Sequence, residues 1–207
     1  IHLGVDHKTV SPAMVSIADK AIPYLDERLK EDYRELKKRS AKVDTYRPSE
    51  LYIQYLYMRS FFREREIPLD TRSAYTFYKT QAIAYWTELQ PYMKGMLALA
   101  LYRGGDKSTA EAILRSLREQ SIRSDEMGMY WKQDHSYWWY DAPTEMQALL
   151  IEAFSEVAMQ PDEIDAMKIW LLKNKQTQHW HTTKATADAC YALLLNGSYW
   201  LGAHPLV

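Results

Sequence analysis

Two segments of the chain, 93–102 and 189–195, are apolar on nearly every side of a helix, and they constrain the fold most strongly. A helix that is apolar all round has to be covered all round. Segment 24–39 is the opposite case, because charged residues surround a narrow apolar stripe with the spacing of a helix that buries one face. The sequence therefore predicts enclosed and solvated helices that alternate, as in stacked hairpins with an inner and an outer layer.

Proline and glycine mark the helix ends. Prolines stand at or near the start of four apolar-periodic runs, where the missing N–H is tolerated: Pro48, Pro91, Pro143 and Pro161. Gly104 and Gly105 end one helix, and Asp106 is placed to cap the next. No segment alternates strictly enough to be predicted as a strand. We predict an all-α chain of eight helices, over 14–39 (with a break at Pro23 left open), 49–63, 71–88, 91–103, 107–120, 143–158, 162–174 and 183–196.

A weak internal repeat links two parts of the chain. It pairs three positions at one common offset: Trp138, Thr144 and Ala148 with Trp180, Thr186 and Cys190. In both copies a tryptophan precedes an apolar helical run by one short loop. Such repeats are typical of helical architectures built from similar hairpins. Two arrangements satisfy the pattern, an open helical solenoid and hairpins placed round a ring with the inner helices at its axis.

Composition excludes several functional classes. The 207 residues suffice for one sizeable core and are few for two domains, so we predict one domain over 1–207. Lys plus Arg number 26 against 27 Asp plus Glu, which argues against nucleic acid as a partner. No apolar run has the length of a transmembrane helix. The chain opens at Ile1 without an initiator Met or a signal peptide, so we expect a piece of a longer protein.

The aromatic segment 127–145 is the most plausible place for a site. Six of its residues are candidate surface or pocket residues: Asp134, His135, Trp138, Trp139, Asp141 and Glu145. Two carboxylates among aromatic rings suit carbohydrate chemistry. The favoured interpretation is structural, with Trp and Tyr rings closing the mouth of the inner layer and their N–H and O–H groups bonded to backbone.

Other candidate chemical groups are interpreted as structural. His179 and His181 offer two imidazoles without an acidic or cysteine ligand close by in sequence, so we predict no metal site. Cys190 lies within an apolar helical run, and we predict that it is buried as a small hydrophobe. Nucleophile-elbow, phosphate-loop and zinc-protease motifs do not occur, so we expect neither catalysis nor a cofactor.

Two passages resemble a known family. The stretch 170–195 begins with Trp170-Leu-Leu and continues through Trp180 and a Thr-rich turn into the helix around Cys190. It is similar to the thioester domain of alpha-2-macroglobulins. The opening Ile1-His-Leu-Gly-Val and the aromatic insert ending at Trp139 are similar to large cell-envelope alpha-2-macroglobulin-like proteins of Bacteroides-type bacteria.

The resemblance implies an α/α toroid in which inner and outer helices alternate. A full toroid of this family has about six hairpins, and this chain supplies about four, so it resembles the later part of the ring. The implied function is that of a non-catalytic segment of a protein that inhibits endopeptidases by trapping them. The implied partners are target proteases and other domains of the same chain, and the implied location is the periplasm or cell envelope. The family thioester joins a Cys to a Gln three residues on, and Leu193 stands at that place after Cys190.

Two other functions and one consequence stay open at this stage. A helical-repeat protein-binding module fits segment 96–117, although the repeat spacing differs from the tetratricopeptide period of about 34 residues. A carbohydrate-active toroid would use Asp134, Asp141 or Glu145, and it requires two carboxyls about 5–9.5 Å apart. A partial ring would also leave an apolar flank, which predicts concentration-dependent self-association.

Overall fold

A computed structural model describes residues 12–39, 43–132, 143–178, 180 and 182–195, and the following statements concern these residues. Within them the chain is all-α apart from one short hairpin. The helices are α1 (Pro12–Arg39), α2 (Glu50–Ser60), α3 (Arg72–Tyr85), α4 (Pro91–Arg103), α5 (Lys107–Glu119), α6 (Pro143–Ala153), α7 (Pro161–Gln178) and α8 (Thr183–Leu194). The strands are β1 (Ile122–Ser124) and β2 (Gly128–Tyr130).

All eight predicted helices are confirmed, and their ends differ by a few residues. α1 continues through Pro23, so the break left open at that residue does not occur. The predicted helix 71–88 ends as a 3₁₀ turn at Trp86–Glu88, and 143–158 ends as a π-helical turn at Phe154–Ala158. The predicted cap is present, because Asp106 Oδ1 accepts a hydrogen bond from the Thr109 N–H at 3.1 Å.

The expectation that the chain has no strand is wrong. β1 and β2 pair in an antiparallel hairpin that packs on α7. Gly128 has φ +76°, and a Cβ at this position would lie 2.1 Å from the backbone oxygen of Ala166. The Gln147 side-chain N–H group donates to the carbonyls of Met129 and Met167 at 2.8 and 3.1 Å. Contacts with α6 and α7 hold the hairpin, and a three-residue strand is too short to show alternation in sequence.

The helices form two layers, as the contrast between apolar and charged segments predicts. α2, α4, α6 and α8 form the inner layer in that order, each packed against the next. α1 packs against α3, α5 packs against α4, and α7 packs against α6 and α8. α4 is buried from Tyr92 to Leu99, and α6 is buried from Thr144 to Ala153. α8 differs from the prediction, since one of its sides is exposed.

The four inner helices run in the same direction. At their carboxyl ends, Arg103 of α4 contacts Ser60 of α2 and Glu152 of α6, so these three ends meet. At the amino ends, the Thr182 cap of α8 contacts Glu145 in the first turn of α6. The fold is therefore a row of parallel inner helices, each followed or preceded in the chain by an outer helix.

Candidate functional site

Glu145 is the one candidate of the aromatic segment that falls within the described part of the chain. Asp134, His135, Trp138, Trp139 and Asp141 lie outside the described residues, as do His179 and His181. Among the described aromatics of this segment, Trp131 is buried, and its Nε1–H donates to the Leu117 carbonyl at 2.8 Å. For this residue the structural interpretation is confirmed.

Glu145 is buried at the amino ends of the inner helices. Glu145 is 4% exposed, and its Oε1 accepts a hydrogen bond from the Thr182 hydroxyl at 3.3 Å. Oε2 is buried and has no hydrogen-bond partner among the described residues. A carboxylate in the first turn of a helix is stabilised by the partial positive charge of the helix dipole. Glu145 thus has a structural role in α6, and no described residue donates a hydrogen bond to its Oε2.

Five residues at these amino ends form what we call the amino-end cluster: Tyr92, Glu145, Thr182, Lys184 and Asp188. Lys184 Nζ lies 2.5 Å from Asp188 Oδ2. Burial alone would lower the pKa of Lys184, but the hydrogen bond to Asp188 and the nearby negative charges raise it. Burial raises the pKa of Tyr92, and the nearby charge of Lys184 opposes this shift. The cluster therefore holds a charged amine and a neutral phenol at neutral pH. Its donors and acceptors suit a hydroxyl-rich or amine-bearing ligand.

A second cluster, at the carboxyl ends of the inner helices, was not found from the sequence. It consists of Tyr57, Phe61, Arg103, Glu152 and Glu156, and we call it the carboxyl-end cluster. The Arg103 side chain is 3% exposed, and its Nη2 lies 2.6 Å from both Glu152 Oε1 and Glu156 Oε2. The guanidinium lies 4.4 Å from the centre of the Phe61 ring. Tyr57 donates to Glu152 Oε2 at 3.0 Å.

All three nitrogens of the Arg103 guanidinium donate hydrogen bonds within the protein. Besides the two bonds from Nη2, Nε donates to Glu156 at 2.9 Å, and Nη1 donates to the Ser60 hydroxyl at 3.2 Å. Burial alone would lower the pKa of Arg103, but the bonds to Glu156 and Glu152 raise it. Burial, followed by the Glu152 charge, raises the pKa of Tyr57. The cluster joins α2, α4 and the end of α6, and hydrogen bonds from all three guanidinium nitrogens to these elements indicate a structural role.

A small cavity of about 180 Å³ lies at the surface beside α2 and α3. The residues that line it are Arg47, Pro48, Ala82, Tyr85, Glu88 and Leu89. Arg47 Nε and Nη2 donate to the two Glu88 oxygens at 2.7 and 3.1 Å, and its guanidinium lies 4.8 Å from the centre of the Tyr85 ring. A pocket of this size is below the 300–1,000 Å³ of ordinary ligand sites.

Cys190 is exposed, which corrects the prediction that it is buried. The apolar run around it belongs to an inner helix, as predicted, but α8 is the last helix of the described row and no described helix covers its outer side.

The described part of the chain contains no group of three or more His, Cys, Asp or Glu side chains that could hold a metal ion. None of the described helices is both long enough and apolar enough to cross a membrane. Comparison of the chain with protein-family models, with curated proteins and with solved structures finds no match.

Proposed function

We propose that this chain is a non-catalytic scaffold segment of a bacterial alpha-2-macroglobulin-like envelope protein. In this proposal its helical hairpins form part of an α/α toroid, and the longer protein traps proteases. The observation that carries the proposal is the row of four parallel inner helices with outer helices behind them. This is the arrangement expected of consecutive hairpins in such a toroid, and it agrees with the resemblance of 170–195.

The use of buried charge supports a scaffold role. Arg103 pairs with Glu152 and Glu156, and Glu163 pairs with Arg118 and Arg123 at 2.8 and 2.5 Å. These pairs connect helices α4 and α6, helices α5 and α7, and strand β1 and helix α7, which are distant in sequence. Catalytic sites instead keep ionisable groups available to a substrate. The ion pairs of Glu152, Glu156 and Glu163 therefore serve the packing of these elements against one another.

Trapping is tested on the full-length protein with serine proteases of different specificity. After incubation, residual protease activity is measured on a large protein substrate and on a small chromogenic peptide. We expect activity on the large substrate to fall while cleavage of the small peptide continues, because a trapped protease still admits small molecules. The 207-residue chain alone, the matched control, is expected to change neither activity. Equal cleavage of the large substrate with and without the full-length protein would refute trapping.

A carbohydrate-binding role is the second candidate, and Glu145 Oε2, which accepts no hydrogen bond from the described residues, favours it. A buried carboxylate oxygen to which no described residue donates can accept a hydrogen bond from a sugar hydroxyl. Binding of labelled oligosaccharides is measured for the wild type, for Glu145→Gln and for the surface control Glu88→Gln. Binding that is lost only in Glu145→Gln would support this role. Absence of binding by the wild type across a broad glycan panel would eliminate it.

A further inference from the structure

The surface cavity beside α2 and α3, which we call the α2–α3 cavity, combines an apolar interior with a charged rim. Pro48, Ala82 and Leu89 supply apolar lining. Arg47 and Glu88 line the cavity as well, and their side chains are 64% and 51% exposed. Ligand sites commonly have this composition, in which apolar residues supply the contact area and a few polar groups fix the orientation of the ligand.

The volume of the α2–α3 cavity limits what it can hold. This volume is about 180 Å³. A cavity of about 150 Å³ lined by apolar side chains is large enough to bind benzene. A nucleotide or a sugar chain requires more space, whereas one branched aliphatic group fits. The apolar part of a ligand for this cavity is therefore a single small group.

Arg47 is held in one position at the rim. Its Nε and Nη2 donate to the two Glu88 oxygens at 2.7 and 3.1 Å. Its guanidinium lies 4.8 Å from the centre of the Tyr85 ring, which also lines the cavity. Exposed ion pairs contribute little to stability, because two long side chains lose conformational freedom when they pair. The main effect of this pair is therefore to fix the guanidinium beside the cavity.

The fixed guanidinium keeps hydrogen-bond donors for a ligand. None of the described residues accepts a hydrogen bond from Arg47 Nη1, since both bonds to Glu88 come from Nε and Nη2. The two Nη nitrogens together form an edge that can bind a carboxylate in bidentate geometry. A guanidinium can bind two carboxylates at once, as Arg103 does with Glu152 and Glu156 in this same chain. A ligand carboxylate can therefore bind Arg47 without displacing Glu88.

Glu88 sets a further condition on the ligand. Hydrogen bonds from Arg47 hold the pKa of Glu88 below its usual range, so Glu88 is ionised at neutral pH. A ligand carboxylate therefore meets a negative charge as well as the guanidinium. A ligand N–H group that donates to Glu88 offsets this repulsion. The rim thus suits a ligand in which an N–H group and a carboxylate lie close together, as in an N-acylated amino acid or at the carboxyl end of a peptide.

We propose that the α2–α3 cavity binds an amino-acid unit that has a free carboxylate and one small apolar side chain. The carboxylate accepts hydrogen bonds from the Arg47 guanidinium, and the N–H group donates to Glu88. The side chain occupies the apolar space beside Ala82 and Leu89. The unit belongs either to an N-acylated amino acid or to the carboxyl end of a peptide. Binding at this cavity does not depend on protease trapping by the longer protein.

N-acetyl-leucine is the first probe, and its binding to the 207-residue chain is measured by NMR titration. We expect a dissociation constant in the millimolar range, because a ligand with so few atoms gains little binding energy. N-acetyl-leucinamide lacks the carboxylate and should bind about tenfold more weakly or less. N-acetyl-glycine lacks the apolar side chain and should be weakened to a similar extent.

Variants of the rim and of the interior test the two halves of the site. Arg47→Gln should weaken the binding of N-acetyl-leucine about tenfold or more. Arg47→Lys keeps the charge but loses the planar fork, so binding should weaken here as well. Ala82→Leu fills the apolar space and should abolish binding; because Ala82 is buried, circular dichroism verifies folding, and the Arg47 variants carry the test if this variant does not fold. Arg28→Gln is the matched control, because Arg28 is also exposed and paired with a glutamate, Glu31, but does not line the cavity.

Short peptides that end in leucine, with a free or an amidated carboxyl end, distinguish the two sources of the ligand. Binding of the free-acid peptide, lost on amidation, would assign the cavity to peptide ends. Binding of N-acetyl-leucine together with exclusion of the peptide would assign it to acylated amino acids. If neither probe binds at millimolar concentration, the proposal is wrong. Binding that Arg47→Gln leaves unchanged would overturn it as well.

Discussion

Arg103→Met is the perturbation that most directly tests the role of the carboxyl-end cluster. Methionine keeps much of the apolar stem but removes the guanidinium, which leaves Glu152 and Glu156 without their cation. Removing one partner of a buried ion pair costs about 3–5 kcal/mol, because the remaining charge stays desolvated. The lost contact with the Phe61 ring adds to this. We expect the free energy of unfolding to fall by about 4 kcal/mol.

Arg118→Met is the matched control. The Arg118 side chain is 31% exposed, and its partner Glu163 keeps a second arginine, Arg123, at 2.5 Å. We therefore expect a loss of about 1 kcal/mol, in the range of solvent-accessible ion pairs. Both variants are compared by urea unfolding followed by circular dichroism, and the slopes of the transitions show whether the denatured states are comparable.

A rescue experiment separates lost charge compensation from lost packing. Adding Glu152→Gln and Glu156→Gln to Arg103→Met removes the uncompensated charges, so we expect most of the lost stability to return. If Arg103→Met and Arg118→Met lose the same free energy within about 1 kcal/mol, the proposed structural role of the buried cluster is wrong. A triple variant no more stable than Arg103→Met would show that packing of the arginine stem dominates.

Three further predictions test local features. Gly105 and Gly128 both have positive φ, but only at Gly128 would a Cβ approach backbone, 2.1 Å from the Ala166 oxygen. Gly105→Ala should therefore lose about 1 kcal/mol and Gly128→Ala about 2–4 kcal/mol in urea unfolding, and equal losses would contradict the close approach. Burial alone would raise the pKa of Glu163, but hydrogen bonds from its two arginine partners hold this pKa below its usual range. The ionised Glu163 therefore contributes to the free energy of unfolding above its unfolded-state pKa of about 4.3, and this contribution is lost as pH falls through its folded-state pKa. The stability difference between wild type and Glu163→Gln should thus shrink below about pH 4, and a difference that grows on acidification would contradict the assignment. Cys190 should react with a maleimide in dilute native protein as completely as in denaturant, and protection of the native thiol would contradict its exposure.

Local signals explain why the helices could be predicted from the sequence. Pro91 and Asp106 mark the starts of α4 and α5 through their own local conformation and hydrogen bonding. The apolar run of α4 predicts that this helix is buried, whichever elements pack against it. The hairpin could not be predicted in this way. Its strands have three residues each, and they are held by contacts with residues distant in sequence, such as the hydrogen bond from Gln147 to Met129 and the packing of Gly128 against Ala166.

The same distinction applies to the candidate sites. Glu145 could be predicted as a candidate because it follows a run of aromatic residues closely in the sequence. Arg103 and Glu152 are 49 residues apart, so their pairing could not be inferred from spacing. A weaker signal was present, since a charged residue at the end or in the middle of an enclosed apolar helix must have a partner. For Cys190 the apolar run correctly indicated an inner helix, but no local pattern indicates whether another helix lies beyond it.

Parallel alignment of the inner helices explains where their charges lie. Antiparallel neighbours partly cancel each other's dipoles, whereas parallel neighbours place several partial negative charges together at the carboxyl ends. Glu152 and Glu156 lie at that same end and add to the negative charge there. Arg103 lies among all of these groups, and its three nitrogens donate to both carboxylates and to Ser60. At the opposite end of the row, the carboxylate of Glu145 offsets the partial positive charges of the amino ends. Each cluster therefore follows from the direction of the helices, and an exchange of charge sign, as in Arg103→Glu, should destabilise the row more than removal of the charge in Arg103→Met.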